Sequence, residues 1–146
     1  MKAYIAISYQ GRQQFREELD TIISILNQCD IRGLVFADHY SFSAAQEKEM
    51  MQLAMDEINK SDWLIAFASE KAIGIGIEAG YAKGKGKPVI YIRHMDAEHS
   101  TTLSGISDFQ IIYTDLQDLM QKLKRIVEQL LNEQTNPLLS SDKSDY

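Results

Sequence analysis

The chain reads as an α/β protein, a three-layer α/β/α sandwich around a five-stranded parallel sheet of the flavodoxin- or Rossmann-like kind. Short apolar runs of strand length recur at Lys2–Ser8, Ile31–Ala37, Trp63–Ala68, Val89–Ile92 and Phe109–Tyr113. Stretches with apolar residues at helical spacing stand between most of them. Strands that alternate with helices form a parallel sheet covered on both faces, with right-handed crossovers. Ligands of such sheets sit beyond the C-terminal strand ends.

Each element follows in order. Lys2–Ser8 is the first buried strand, and Ser8-Tyr9-Gln10-Gly11-Arg12 is the turn that leaves it. A helix from about Gln13 to Asn27 places Phe15, Leu19, Ile22, Ile23 and Leu26 on one core face. A turn with Ser, Gly and Arg before a helix suits a phosphate or sugar; Ser8 and Arg12 serve equally as simple helix caps. The second strand, Ile31–Ala37, ends at Asp38-His39-Tyr40, where a parallel strand opens onto a cleft. His39 is a candidate for orienting substrate, although a lone histidine at a strand end more often has a structural role. A helix from about Ser43 to Asn59 carries Met50, Leu53, Ala54 and Ile58 on one face. The third strand leads through Ser69-Glu70-Lys71 into a glycine-rich stretch. Beyond the fourth strand, Arg93 to Ser107 reads as a long polar loop, of the length that commonly serves function. The last helix runs from Leu116 to about Asn132, and Thr135 to Tyr146 reads as a mobile tail beyond a domain at residues 1–134.

The stretch Ala72-Ile73-Gly74-Ile75-Gly76-Ile77-Glu78-Ala79-Gly80-Tyr81-Ala82 organises the candidate site. Gly74 and Gly76 lack a Cβ where the chain turns, which lets a ligand or another backbone approach. Glu78 is expected near the first turn of the following helix, where free N–H groups and the helix dipole favour a charged carboxylate. An ionised carboxylate in a cleft is what a glycosyl-transferring nucleophile requires. The same position also suits a plain surface charge. Ala79 stands where the dinucleotide fingerprint needs its third glycine, which argues against NAD binding by that motif.

Composition narrows the classes. The 146 residues suit one domain, and 45% hydrophobic with 25% charged residues is ordinary for a soluble globular protein. No run approaches the roughly 18 apolar residues of a membrane helix, and the first residues do not form a signal peptide. The single Cys29 excludes an internal disulfide and fits a reducing cytoplasm. The net charge of −6 argues against a nucleic-acid backbone as partner. No His or Cys pair has metal-ligand spacing, so no metal is expected, and no cofactor.

The segment Gly74–Ala82, followed by Gly86-Lys87-Pro88-Val89 and Gly105-Ile106-Ser107-Asp108, resembles the nucleoside 2-deoxyribosyltransferase superfamily, which includes the 2'-deoxynucleoside 5'-phosphate N-hydrolases and cytidylate N-glycosidases. The resemblance runs from about Lys2 to Leu131. It implies that Glu78 is the nucleophile that attacks the sugar C1', forming a covalent glycosyl-enzyme resolved by water or by a second base. It implies that the turn Ser8, Tyr9, Gly11 and Arg12 holds sugar or 5'-phosphate; His39, Ser69, Gly74 and Gly76 are expected around the substrate because they fall on the C-terminal edge of the sheet. Ser100, five residues before Gly105, falls where the phosphate hydrolases carry serine and the transferases asparagine. In the family that residue reaches a neighbouring subunit's site, so a homo-oligomer with shared active sites and a preference for nucleoside 5'-monophosphates are expected.

Two departures stand out. Ala54 occupies the place of an aspartate on the helix before strand three, with Asp56 two residues away, and Ala72 occupies an aspartate or serine position six before Glu78. They motivate a second reading, a non-catalytic nucleotide- or sugar-binding module. A third is an NAD-cleaving domain related to the TIR fold. Transferases of the family bring a C-terminal residue to the site, a role open here to Tyr146.

Overall fold

A computed structural model describes residues 1–136. The strands are β1 (Lys2–Ala6), β2 (Arg32–Val35), β3 (Trp63–Phe67), β4 (Val89–His94) and β5 (Phe109–Tyr113). The helices are α1 (Gly11–Gln14), α2 (Arg16–Gln28), α3 (Phe36–His39), α4 (Glu47–Asn59), α5 (Ile73–Gly84), α6 (Thr101–Ile106) and α7 (Leu116–Thr135). The sheet is parallel throughout, in the order β2-β1-β3-β4-β5. The expected three-layer α/β architecture is therefore present.

Two cores flank the sheet, because alternate strand residues face opposite sides. On one side Ala3, Ile5, Ile65, Phe67 and Ile90 pack against Leu19, Ile22 and Leu26 of α2 and Leu119, Leu123 and Val127 of α7. On the other, Tyr4, Leu64, Ala66 and Tyr91 pack against Ile58 of α4, Ile75, Ala79 and Ala82 of α5, and Leu103 of α6. β3 is wholly buried, since it lies between β1 and β4 with helices above and below.

Several elements differ from the expectation. The first helix is split at Phe15, whose φ of −108° and ψ of 34° leave the helical region, so α1 is a single turn and α2 starts at Arg16. The second strand, expected to run to Ala37, ends at Val35, and the chain coils at once into α3. The polar loop at 93–107 contains α6, capped by Ser100 Oγ, which accepts from the Leu103 N–H at 3.3 Å. α7 continues to Thr135, past the expected end. The rest of the expected tail, Tyr146 included, lies outside the described residues. Among the described residues no helix is long and apolar enough to cross a membrane.

Candidate active site

The order β2-β1-β3 makes the chain cross over β1 between its second and third strands, so the C-terminal ends of β1 and β3 form the switch point where α/β sheets bind ligands. Ser8, just past β1, donates to Glu70 Oε1 at 3.0 Å, and the bond ties the two loops together across that point. Ser8 Oγ also accepts from the Gly11 N–H at 2.9 Å. A Cβ on Gly11 would stand 2.5 Å from Ser8 Oγ, so a larger residue there would displace the hydroxyl from these two bonds.

Glu78 is the sixth residue of α5, a full turn deeper than expected, and the first turn contains no acidic residue. The helix dipole is consequently not what governs its charge. Ile75, Ala79 and Ala82 turn into the core, and Glu78 sits on the flank of that stripe, half-buried beside Tyr4 of β1. Loss of hydration pushes its carboxyl up to about 7, and the Tyr4 hydroxyl pulls modestly the other way. Tyr4 Oη is buried without a hydrogen bond of normal length and angle, so it acts on Glu78 as an adjacent, imperfectly aligned donor. Burial, then Glu78, then Glu57 lift the Tyr4 phenol far above its ordinary range, so it stays protonated.

Gly74 and Gly76 lie inside α5 and not in the turn before it, and an added Cβ on either would meet no atom within 4 Å. The space beside them is open from outside. Next to it a cleft of about 330 Å³ lies between the start of α5 and α6, lined by Lys71, Ala72, Gly76, Ser100, Thr102 and Leu103. Ala72 leaves the helix without a side-chain cap, so the first-turn N–H groups of α5 face this cleft unpaired by side chains.

Tyr9, Arg12 and His39 line a second cleft, of about 200 Å³, with Asp38, Tyr40 and Ser41. Arg12 spans it: Nε donates to the Tyr9 carbonyl at 3.2 Å, Nη1 to the Ala37 carbonyl at 3.2 Å and to Asp38 at 3.3 Å, and the guanidinium stacks 4.0 Å from the Tyr9 ring centre. Arg16 grips the same Asp38 with two hydrogen bonds, holding its carboxyl below the usual range. His39 Nδ1 stands 3.3 Å from the Val35 carbonyl, a local bond on an exposed ring. Ser69 Oγ accepts from the His94 N–H at 2.8 Å and lies 3.4 Å from Tyr113 Oη, so it joins β3 to β4 and β5. Of the expected residues, Gly76 and Ser100 line one cleft and Tyr9, Arg12 and His39 the other, whereas Ser8, Gly11, Ser69, Gly74 and Glu78 line neither.

Sequence reasoning passed over Tyr4, Lys71 and Thr102. Tyr4 carried a signal, since a tyrosine in an apolar strand must place its hydroxyl somewhere.

The family profile of nucleoside 2-deoxyribosyltransferases matches residues 3–123. The chain belongs to that family. Among solved structures, the CMP N-glycosidase of Clostridium botulinum is similar with a TM-score of 0.63 and 21% identity, over 84% of this chain and 98% of that one. The 2-deoxyribosyltransferase of Bacillus psychrosaccharolyticus is similar with a TM-score of 0.64 and 14% identity, over 82% and 90%. A conserved protein from Enterococcus faecalis gives 0.65 at 17% identity, over 86% and 98%. At these identities the likeness is one of fold. No curated protein matches the chain.

Proposed function

We propose that the protein cleaves or transfers at the N-glycosidic bond of a nucleoside or deoxynucleoside, with the 5'-monophosphate preferred, through a glycosyl ester on Glu78. The observation that carries this is Glu78 itself, desolvated beside the Tyr4 hydroxyl at the switch point of a chain in this family. In the first step a carboxylate oxygen bonds to C1' as the C1'–N bond breaks, and the electron pair leaves on the base, which takes up a proton. In the second, water or another base attacks C1' and frees the carboxylate. Desolvation raises the reactivity of the ionised form, and the Tyr4 hydroxyl favours that form.

The 5'-phosphate is assigned to the start of α5. There the first-turn N–H groups and the Ser100 hydroxyl offer donors, with no carboxylate in that turn, and Lys71 stands beside them with its ammonium 3.0 Å from the exposed Glu98 carboxylate. Arg12 is a weaker phosphate candidate than the sequence suggests, because Asp38 already engages it. Ser8, Tyr9, Gly11, Arg12, His39 and Ser69 are kept as walls and supports of the substrate region.

A homo-oligomer belongs to the same reading. α5 is apolar on nearly every side, yet Ile73 is 85% and Ile77 53% exposed, and Gly76, Gly80 and Gly84 leave a flat open face. Such a helix is normally buried. A second copy would cover it and bring its own Ser100 towards the site. A cytoplasmic setting accompanies this reading, with Cys29 a free thiol.

A binding module without turnover is the second reading. Ala54 is 1% exposed in the core and offers no polar group, and Ala72 leaves α5 uncapped. Incubation with nucleosides, their 5'-monophosphates and NAD, with and without a second base, separates the readings by chromatography. Free base or a new nucleoside is expected from wild type, with a loss of about a thousandfold or more in Glu78→Gln. Undiminished activity in that variant removes the nucleophile, and no product from any substrate leaves the binding module.

A further inference from the structure

Glu57 is a buried charge that the chemistry above leaves unused. It lies on α4 one turn beyond Ala54, on the same face, and is 7% exposed. A carboxylate buried to that degree requires partners. Lys2 Nζ of β1 bonds to Oε2, Tyr40 Oη donates to Oε1 at 3.2 Å, and Lys60 Nζ stands 3.8 Å from Oε1. Lys2 and Tyr4 are two residues apart on one strand and share a sheet face. Tyr4 and Tyr40 also pack on one ring, Phe36, with centroids 5.9 and 4.9 Å away.

We propose that the Lys2–Glu57–Tyr40 cluster tunes Glu78 through Tyr4, its members acting as positioning residues for the nucleophile. The proposal rests on the reading of Glu78 given above. Tyr4 Oη is buried with its one hydroxyl proton in no hydrogen bond of ordinary geometry, and it lies in the fields of both Glu78 and Glu57. Lys2 and Tyr40 occupy the Glu57 oxygens, so the Tyr4 donor is left for Glu78. The remaining charges at the cluster are Lys60 and Arg32, whose field reaches Tyr40. Tyr81 on α5 is engaged elsewhere, donating to Asn59 at 3.0 Å. Without Lys2 or the Tyr40 hydroxyl, Glu57 draws on Tyr4 and Glu78 becomes harder to ionise. With a neutral glutamine at 57, the competitor is gone, Lys2 remains positive, and Glu78 ionises more easily.

The test is a carbon-13 NMR titration of the glutamate carboxyls in substrate-free protein, with Glu78→Gln assigning the signal. The wild-type midpoint is expected near 7. Lys2→Met and Tyr40→Phe should raise it, and Glu57→Gln lower it, each by about half a unit or more, with melting curves confirming folded protein. The acid limb of kcat/KM should move in the same senses, which a merely structural role would not produce. Unmoved midpoints, or shifts all in one direction, overturn the proposal. If Glu57→Gln does not fold, absence of the upward shift in Lys2→Met and Tyr40→Phe overturns it alone. The titration needs no turnover, so it fails or succeeds separately from the nucleophile reading, which is decided by the activity of Glu78→Gln.

Discussion

At the scale of the residue, Glu78 couples activity to stability with opposite signs. Its folded-state value near 7 lies above its ordinary 4.5, so the folded chain holds the proton more tightly than the unfolded one. Stability is therefore highest below about pH 4.5 as far as this group is concerned, and it declines as pH rises through 7. Glu78→Gln should raise the melting temperature at pH 8, by the equivalent of about 1–3 kcal/mol given that part of the side chain remains in water, and change little at pH 4.5. Scans at the two pH values check this. Activity runs the other way, since the nucleophile must be ionised, so the first step should fall off below about pH 7. Tyr4→Phe removes the donor that lowers the Glu78 value, so its acid limb should move to higher pH, with activity at pH 7 reduced roughly three- to tenfold. An unshifted profile would show that Tyr4 only packs. Glu78 as a candidate was legible in the sequence through its glycine-rich context. Its electrostatics were not, because Tyr4 lies 74 residues away in the chain and meets it only through the pairing of β1 with β3.

At the scale of the element, α5 has two faces with separate tasks. Its inner stripe, Ile75, Ala79 and Ala82, anchors it to the sheet, and its outer face presents Ile73 and Ile77 with the open glycines. Lysines at 73 and 77 would place two charges on that face at no cost to the core. The double variant Ile73→Lys, Ile77→Lys should retain its circular dichroism yet show a smaller mass by light scattering than wild type. A monomeric wild type would remove the proposed interface. The expected start of α5 was late in the sequence reading because Gly74 and Gly76 look like turn residues, glycine being the residue that turns favour. Here they stand in the helix, where an apolar inner stripe outweighs the propensity cost of about 1 kcal/mol each. α1 and α3 were missed for a related reason. Single turns have too few residues for a periodic signal, and their geometry is set by the loops that Arg12, Arg16 and Asp38 tie together.

At the scale of the whole molecule, the sheet and its two cores are complete within residues 3–130, the span of the buried side chains. We propose that residues 1–134 form the folding unit. A chain ended after residue 136 should melt cooperatively within about 2 °C of the full-length protein, since α7 has already placed Leu119, Leu123, Val127 and Leu130 in the core. A broad or strongly lowered transition would show that the last residues belong to the fold. The activity of the same truncated chain tests any part for Tyr146.

Sequence alone determined the fold class, the five strands and the long helices, and it nominated Glu78 for the proposed chemistry, because each rests on local periodicity or on a contiguous motif. Five parallel strands buried on both faces admit few arrangements once the helices between them are known. Only the tertiary structure decided which polar groups meet. Ser8 finds Glu70 across 62 positions, Lys2 finds Glu57 across 55, and Arg12 finds Asp38 across 26. Such pairings leave no periodic trace, since a side chain's partner depends on the order and register of strands that are remote in sequence. The charge state of Glu78 belongs to the same class of fact, because desolvation is a property of everything packed around a group and not of its neighbours along the chain.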